Sequence, residues 1–319
     1  MRKDLCRLLG LGLLLAMAST LSAQVLLTGT RSGFVKTADG INIHYLEAGS
    51  PSVHASVEVS DRPMGEAQIG VAANPQILLV PGWTMAALIW EKQIEHFSKV
   101  TRVVAMDPRS QGESTKTTEG LYPDVRAKDI KAVVDQLRLS PVVLVGWSMG
   151  VNEVASYINQ FGNDGVAGVV LVDGIVHVDD QFASAILNLA GGIMKDRPAR
   201  TEAFVRSMYR KPQSEEYIQR VTAAALETPT AEAMALFIGS FSTDNRPALA
   251  KFARPTLLVV TKSPFDAVYL DMQKRIPGSR LEQFDDAGHA LFVDDAERFN
   301  ALLDQFLGTL KGSASTSTP

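Results

Sequence analysis

The sequence predicts an α/β fold, in which helices cover both faces of a mostly parallel sheet. Two observations support this fold class. Short runs of apolar residues, such as 76–80, 142–146 and 168–173, alternate with longer amphipathic segments along the chain. These runs are apolar at nearly every position, as is typical of strands that are buried on both faces.

Residues 1–23 have the pattern of a cleavable secretory signal peptide: a basic start, an apolar stretch and small residues that end at Ala23. The apolar stretch is shorter than a membrane-spanning helix requires, so no stable membrane insertion is expected after cleavage. We therefore expect a periplasmic or secreted protein that begins at Gln24. The only cysteine, Cys6, lies in this segment, which leaves the mature chain without a thiol or a disulfide.

The first part of the sheet is expected between residues 32 and 173. Residues 32–48 alternate apolar and polar positions around Asp39 and predict a β-hairpin. Residues 50–75 are rich in Ser, Pro, Gly and Ala and predict a long exposed loop. Beyond it, strands are predicted at 76–80, 102–107, 142–146 and 168–173, with helices at about 86–98, 123–138 and 149–161.

Residues 174–253 have helical patterns and predict a cap that is inserted before the penultimate strand. We expect it to cover the carboxyl edge of the sheet, where open α/β sheets bind ligands. Strands at 255–260 and 279–284 and a helix at about 294–310 complete the fold. The expected organisation is a core formed by 24–173 and 254–311, the cap, and a disordered polar tail at 312–319.

The composition excludes several classes of function. The 319 residues are 46% hydrophobic and carry a formal net charge of −4, with both signs mixed along the chain. Without a basic surface, nucleic acid is not an expected partner. No His, Asp or Glu cluster has metal-ligand spacing, and no glycine-rich phosphate loop is present. No cofactor and no metal are predicted, and the oligomeric state is left open.

The segment VVLVGWSMG places Ser148 between Gly146 and Gly150, at the junction of a buried strand and an amphipathic helix. This pattern is typical of a nucleophile elbow, in which glycines flank a serine on a sharp turn. A serine hydroxyl needs a base to become a nucleophile. Of the five histidines, His289 lies in a loop after the last predicted strand, from which it could reach the sheet edge and Ser148.

Two carboxylates are candidates to orient the imidazole of His289. Asp173 ends a predicted strand at the same sheet edge, and Asp266 follows the next strand. Asp266 also has a structural interpretation, because Ser263 and Asp266 have the spacing of a helix capping box. Asp173 has one as well, because a strand-end Asp often caps the next segment. Asp173 is the preferred candidate for the acid of the triad, and Asp266 remains the alternative.

An oxyanion hole requires two N–H donors. We expect the backbone of Met149, which follows the serine, and the backbone of Trp83, in the loop after strand 76–80. Asp107 and Arg109 are interpreted as a structural hydrogen-bond network beneath the site. Asp294 and Asp295 are expected to start the last helix rather than to bind a metal.

Taken together, these motifs resemble the α/β-hydrolase superfamily over residues 33–310. PGW (81–83), DPRSQGES (107–114), GWSMG (146–150) and AGHALFVDD (287–295) follow in the family's order. The chain looks most similar to the cofactor-free serine esterase and perhydrolase group, also called non-haem haloperoxidases. The resemblance implies Ser148 as nucleophile, His289 as base, and Trp83 and Met149 as oxyanion donors.

The chain departs from the family pattern at three places. Pro81 replaces the usual His of the oxyanion loop, Ser110 replaces a Gly, and the usual G-x-x-D after the penultimate strand is missing. Some relatives place the acid after the earlier strand, where Asp173 stands.

The expected function is therefore an exported serine hydrolase that acts on a small apolar carboxylic ester. The alternatives are a lactonase, amidase or perhydrolase with the same triad, or a slow-turnover ligand-binding protein of this fold.

Overall fold

The computed structural model describes residues 29–51, 53–56, 70–178, 184, 188, 191–193 and 195–312, with the backbone alone for 53–56, 70–73, 311 and 312. The predicted signal peptide and residues 313–319 of the predicted tail lie outside the described residues. In the part that is described, no helix combines the length and the apolar character that a membrane crossing needs.

Eight strands form one sheet in the order β1-β2-β6-β5-β7-β8-β9-β10. From β5 onward every neighbouring pair is parallel, whereas β2 is antiparallel to both β1 and β6. The predicted mostly parallel sheet is therefore confirmed. The strands of this sheet are β1 (Arg31–Lys36), β2 (Asn42–Ala48), β5 (Gln76–Val80), β6 (Val103–Met106), β7 (Val142–Trp147), β8 (Val166–Val172), β9 (Thr256–Thr261) and β10 (Arg280–Phe284).

The prediction of a loop for residues 50–75 was wrong in part. Strands β3 (Val53–Ser56) and β4 (Gly70–Ala73) pair antiparallel as a separate two-stranded sheet. The Ser, Pro and Gly content that favoured a loop masked two short segments, VHAS and GVAA, that contain small and β-branched residues.

The described part of the chain forms the ten α-helices given below, and a 3₁₀ turn (Ala87–Trp90) precedes the first of them. In chain order they are α1 (Glu91–Phe97), α2 (Pro123–Gln136), α3 (Met149–Phe161), α4 (Arg197–Ser207), α5 (Glu215–Leu226), α6 (Thr230–Phe241), α7 (Arg246–Leu249), α8 (Asp266–Arg275), α9 (Leu291–Asp294) and α10 (Ala296–Gly312).

Side chains of the central strands alternate between two apolar layers. In β5, Ile77 and Leu79 pack with Trp90 of the 3₁₀ turn and Phe299 of α10 on one face. Leu78 and Val80 pack on the opposite face with apolar side chains of α2 and α3. Because both faces are covered, the strands carry apolar residues at every position, which explains the sequence pattern.

Helices α4 to α7 lie between β8 and β9 in the sequence, where the cap was predicted. Side chains of α4 and α5, such as Val205 and Val221, join the apolar layer on one face of the sheet. A further apolar cluster joins Met234 and Phe237 of α6 to Trp83 and Met149 of the core. The cap helices thus pack against the edge at which β5 and β7 end.

A buried ion pair joins α2 to α3. Arg126 Nη2 lies 3.0 Å from Glu153 Oε1, and both side chains are almost fully buried. Burial raises the pKa of Glu153 to about 7, although the positive charge of Arg126 opposes this shift. The free energy of such a pair depends on geometry, since desolvation of two charges offsets much of their attraction.

The raised pKa of Glu153 predicts a pH-dependent stability. Between pH 4.5, the ordinary pKa of the group, and about 7, the folded protein holds a proton that the unfolded chain has released. The free energy of unfolding should therefore fall as the pH rises through this interval, by up to about 3 kcal/mol. Urea denaturation at several pH values measures this slope. Glu153→Gln should flatten it.

Glu216→Gln is the matched control, because Glu216 is an exposed glutamate of α5. This variant should retain the wild-type slope. Equal slopes for Glu153→Gln and wild type would contradict the prediction.

Candidate active site

Ser148 occupies a strained turn between β7 and α3, as the elbow motif predicts. Its backbone has φ 56° and ψ −120°, which a residue with a side chain rarely adopts. A Cβ on Gly146 would lie 2.5 Å from Gly150 O, and one on Gly150 would lie 2.6 Å from Val80 O. The two glycines are therefore required by close backbone approach on both sides of the serine.

His289 reaches Ser148 from the loop between β10 and α9. Its Nε2 lies 2.9 Å from Ser148 Oγ, within hydrogen-bond distance. Trp147, the residue before the serine, donates from its indole Nε1 to the carbonyl oxygen of His289 at 2.9 Å. Its ring also lies 5.2 Å from the imidazole, centre to centre. Trp147 thus fixes both the backbone and the ring position of His289.

Asp173 faces the other side of the imidazole. Its Oδ2 lies 2.7 Å from His289 Nδ1, and its carboxylate also accepts hydrogen bonds from Thr261 N (2.7 Å) and Tyr269 Oη (3.1 Å). Burial opposes the ionisation of Asp173, but the hydrogen bonds and charge of His289 and the bonds from Thr261 hold its pKa below the ordinary value. The carboxylate is therefore charged at neutral pH and able to stabilise an imidazolium.

Asp266 does not contact the imidazole. Its Oδ1 accepts a hydrogen bond from Ser263 N at 2.9 Å, and its own N–H donates to Ser263 O at 3.2 Å. Asp266 is the first residue of α8, so its carboxylate serves the start of that helix. The structure therefore brings Asp173, and not Asp266, to His289.

Trp83 and Met149 both lie beside the serine. A Cβ on Gly82, which precedes Trp83, would lie 2.8 Å from Ser148 Cβ, so the backbone of the loop passes close to the hydroxyl. Met149 is the first residue of α3, and the first N–H groups of a helix lack partners within it. The N–H of Met149 therefore lies at the positive end of the α3 dipole, and the loop with Trp83 passes beside the elbow.

The side chain of Trp83 forms the junction between core and cap. Its Nε1 donates to the carbonyl oxygen of Ala233 in α6 at 2.6 Å. Its ring lies 5.4 Å from the ring of Phe204 and 5.0 Å from that of Phe237. The surroundings of the serine are therefore apolar on the cap side, which strengthens electrostatic interactions there.

A buried network supports the loop that contains Trp83. Gln111 Nε2 donates to the carbonyl oxygens of Gly82 (3.0 Å) and Met85 (2.7 Å), on either side of Trp83. Gln111 Oε1 accepts from Arg126 Nη2 at 3.0 Å, and Arg126 is the partner of Glu153. The loop is thus tied through Gln111 to the ion pair between α2 and α3.

Asp107 and Arg109 form the structural network that the sequence predicted, in two separate parts. Asp107 accepts hydrogen bonds from Ala87 N (2.5 Å) and, at 2.8 Å, from His44 Nδ1. Arg109 forms a bidentate pair with Asp129, with both N–O distances 2.6 Å. Ser110, where the family usually has Gly, has φ 65° and therefore retains the left-handed conformation that a glycine would favour.

Asp294 differs from its predicted role. The last long helix begins at Ala296, and Asp294 ends α9. Its Oδ2 accepts from Gly288 N (2.7 Å) and Arg210 N (2.6 Å), so the carboxylate holds the His289 loop against the cap. In the described part of the chain, no group of three or more His, Cys, Asp or Glu residues could hold a metal ion.

Several residues of the site escaped the sequence analysis. Trp147 stood inside the quoted motif at a position that the motif leaves variable. Thr261 could have been noticed as a polar residue at the end of the apolar strand β9, opposite Asp173. Tyr269 and Gln111 gave no signal, because neither has a spacing that indicates a buried hydrogen bond to the site.

Comparison with known proteins agrees with the fold. A model of the alpha/beta hydrolase family matches residues 77–302, well over half of the chain. A Synechocystis protein named as a non-heme chloroperoxidase is 29% identical over 259 residues, which are 74% of this chain and 92% of that protein. The bifunctional esterase/perhydrolase DCH of Acinetobacter calcoaceticus is 33% identical over 144 residues, 45% of each chain.

Solved structures give the same answer for the fold. The bromoperoxidase from Bacillus anthracis superposes with a TM-score of 0.75 at 24% identity, over 87% of this chain and all of that one. The resemblance to hydrolases of the esterase and haloperoxidase type is therefore confirmed. By its fold and by the extent of the family match, the chain belongs to the alpha/beta hydrolase family.

Proposed function

We propose that this protein is a serine hydrolase that cleaves carboxylic esters through an acyl-enzyme. The observation that carries the proposal is the line of contacts from Ser148 Oγ to His289 Nε2 (2.9 Å) and from His289 Nδ1 to Asp173 Oδ2 (2.7 Å). These groups have the order and distances that a nucleophile, a general base and an orienting carboxylate require.

In the first half of the reaction, Ser148 Oγ attacks the acyl carbon while His289 Nε2 takes its proton. The N–H groups of Trp83 and Met149 donate to the oxyanion of the tetrahedral intermediate. The intermediate then breaks the bond to the leaving oxygen, and His289 returns the proton to the departing alcohol. Throughout, the negative charge of Asp173 stabilises the imidazolium.

In the second half, water attacks the acyl carbon of the Ser148 ester and gives a proton to His289. The second tetrahedral intermediate releases the carboxylic acid, and the proton returns to Ser148 Oγ. The strained turn holds the hydroxyl in the same place through both halves, so neither step requires reorganisation of the backbone.

An ester with an apolar part suits the surroundings of the serine. Trp83 and the rings of Phe204 and Phe237 present an apolar wall beside the elbow. Lactone, amide and peracid chemistry would use the same groups, and a panel of nitrophenyl esters, lactones and amides ranks these reactions. Steady turnover of any of them, above about 1 per second, excludes a ligand-binding protein with a vestigial triad.

The nucleophile is tested without knowledge of the substrate. A fluorophosphonate probe should label the protein covalently, because the base makes the Ser148 hydroxyl reactive towards it. Labelling is read by gel fluorescence or mass spectrometry. Ser148→Ala should take up no probe, whereas Ser156→Ala, which changes another serine of α3, should label like wild type. If Ser148→Ala is still labelled, Ser148 is not the nucleophile.

The two aspartates give a second test. Asp173→Asn should lower kcat by about 10³- to 10⁴-fold, since the amide favours the wrong tautomer of His289. Asp266→Asn should change kcat less than about tenfold, because His289 pairs with Asp173 and an amide oxygen can still accept from Ser263 N. Steady-state kinetics on a nitrophenyl ester measures both. If neither substitution lowers kcat by more than about tenfold, both assignments of the acid are wrong.

We also propose that the protein is exported. The support is the pattern of residues 1–23, with a basic start, an apolar stretch and small residues before Gln24. When the full chain is expressed in a Gram-negative host, the periplasmic protein should begin at Gln24 by N-terminal sequencing. Lys3→Glu with Arg2→Glu should retain precursor in the cytoplasm. A cytoplasmic protein with an intact Met1 start would overturn the proposal.

A further inference from the structure

The cap contains a buried arginine that faces no carboxylate in the described part of the chain. Arg197 begins α4 and is 9% exposed. Its Nη2 donates to the carbonyl oxygens of Ala225 (3.1 Å) and Thr228 (3.2 Å) at the end of α5. Its Nε and Nη1 are buried and have no hydrogen-bond partner among the described residues. Two of its donor groups are therefore unused.

The other buried arginines of this protein are different. Arg109 forms a bidentate pair with Asp129, and Arg126 lies 3.0 Å from Glu153. Burial lowers the pKa of Arg197, and among the described residues no carboxylate counteracts that effect. Burying a cation without a counter-charge is unfavourable. A buried arginine of this kind therefore suggests that the site binds an anion.

Three threonines of the same region also have buried hydroxyls without a hydrogen-bond partner among the described residues. Thr201 lies one turn further along α4, Thr222 lies one turn before Ala225 in α5, and Thr228 supplies one of the carbonyls that hold the guanidinium. All three are buried, and none of their hydroxyls has a hydrogen-bond partner within the described residues. Helix α4, helix α5 and the residues just after α5 thus contain a buried guanidinium and three buried hydroxyls with hydrogen-bond capacity that the described residues do not use.

This group lies next to the candidate active site. Arg197 Cζ is 5.7 Å from the centre of the Trp83 ring, which is the distance of a cation–π contact. Trp83 follows Gly82, and the backbone of Gly82 closely approaches Ser148. The guanidinium is therefore one aromatic ring away from the loop that passes the serine.

We propose that Arg197, with the hydroxyls of Thr201, Thr222 and Thr228, is a subsite for a carboxylate carried by the substrate. The inference rests on the proposed function and narrows it to esters that have an apolar middle and an anionic end. The apolar surroundings of Trp83 accept the middle, and a carboxylate oxygen accepts a hydrogen bond from Nε or from Nη1, neither of which has a partner among the described residues. A hydrogen bond between a guanidinium and a carboxylate carries charge on both partners and is therefore stronger than a neutral one.

The test compares two esters that differ in one group. Mono-4-nitrophenyl adipate carries a carboxylate where 4-nitrophenyl hexanoate carries a methyl group. Wild-type protein should cleave the anionic ester with a higher kcat/KM than the neutral one. Arg197→Leu should lower the ratio of the two kcat/KM values about tenfold or more, because a charge-assisted hydrogen bond is lost.

Arg200→Leu is the matched control, because it removes the same charge from an exposed position of the same helix. The ratio of its kcat/KM values for the anionic and the neutral ester should stay within about twofold of wild type, since exposed charges are screened.

A second pair of esters, 3-acetoxybenzoate and 3-methylphenyl acetate, moves the carboxylate to the alcohol side. A preference in one pair alone locates the subsite on the acyl or the alcohol side.

The outcomes separate this inference from the proposed function. The subsite is refuted if the neutral ester is cleaved but neither anionic ester is preferred over its neutral analogue. It is also refuted if Arg200→Leu lowers the ratio as much as Arg197→Leu. In either case an internal water suffices as the partner of Arg197. If no ester is cleaved and Ser148 takes up no fluorophosphonate, the hydrolase itself is refuted. Should Arg197→Leu fail to fold by circular dichroism, the wild-type ratios decide.

Discussion

The crowded turn at Ser148 is the constraint on which the site depends. The serine has a positive φ of 56°, and its N–H donates to the carbonyl oxygen of Val172 at 2.9 Å. This bond links the elbow to β8, the strand that leads to Asp173. A turn of this kind is unfavourable by itself, and it persists because the surrounding strands and helix determine it. The same contacts that force the strain therefore also align the nucleophile with its acid.

Asp173 also has a positive φ, of 41°. Its carboxylate accepts from Thr261 of β9 and from Tyr269 of α8, so the acid is held by elements that follow the cap in sequence. His289 comes from a third place, after β10. Three segments far apart in the chain are thus joined by hydrogen bonds at one sheet edge. The parallel arrangement makes this possible, since all these strands end at the same side.

The sequence predicts the fold well because the parallel strands are buried on both faces and so are apolar throughout. It also predicts Ser148 and His289, because a glycine-flanked serine and a late loop histidine are local signals. It leaves the acid open, because Asp173 and Asp266 each follow a strand. Only the long-range contact of Asp173 with His289 and the local bond of Asp266 with Ser263 distinguish them. The β3–β4 pair was missed, because short segments of small residues resemble loop sequence.

The residues that sequence could not predict are those whose role comes from long-range pairing. Arg126 and Arg197 are both buried arginines on helices, and their sequence surroundings do not distinguish them. Arg126 meets Glu153 and Gln111, so its charge is used within the protein to hold the Trp83 loop. Arg197 meets two carbonyls and the Trp83 ring, so its charge is not neutralised by any carboxylate of the described residues. On one side of the Trp83 loop, the charge of Arg126 is paired within the protein. On the other side, Arg197 has donor groups that are available to a ligand. A loop supported in this way can stay rigid for catalysis while the cap determines which esters reach it.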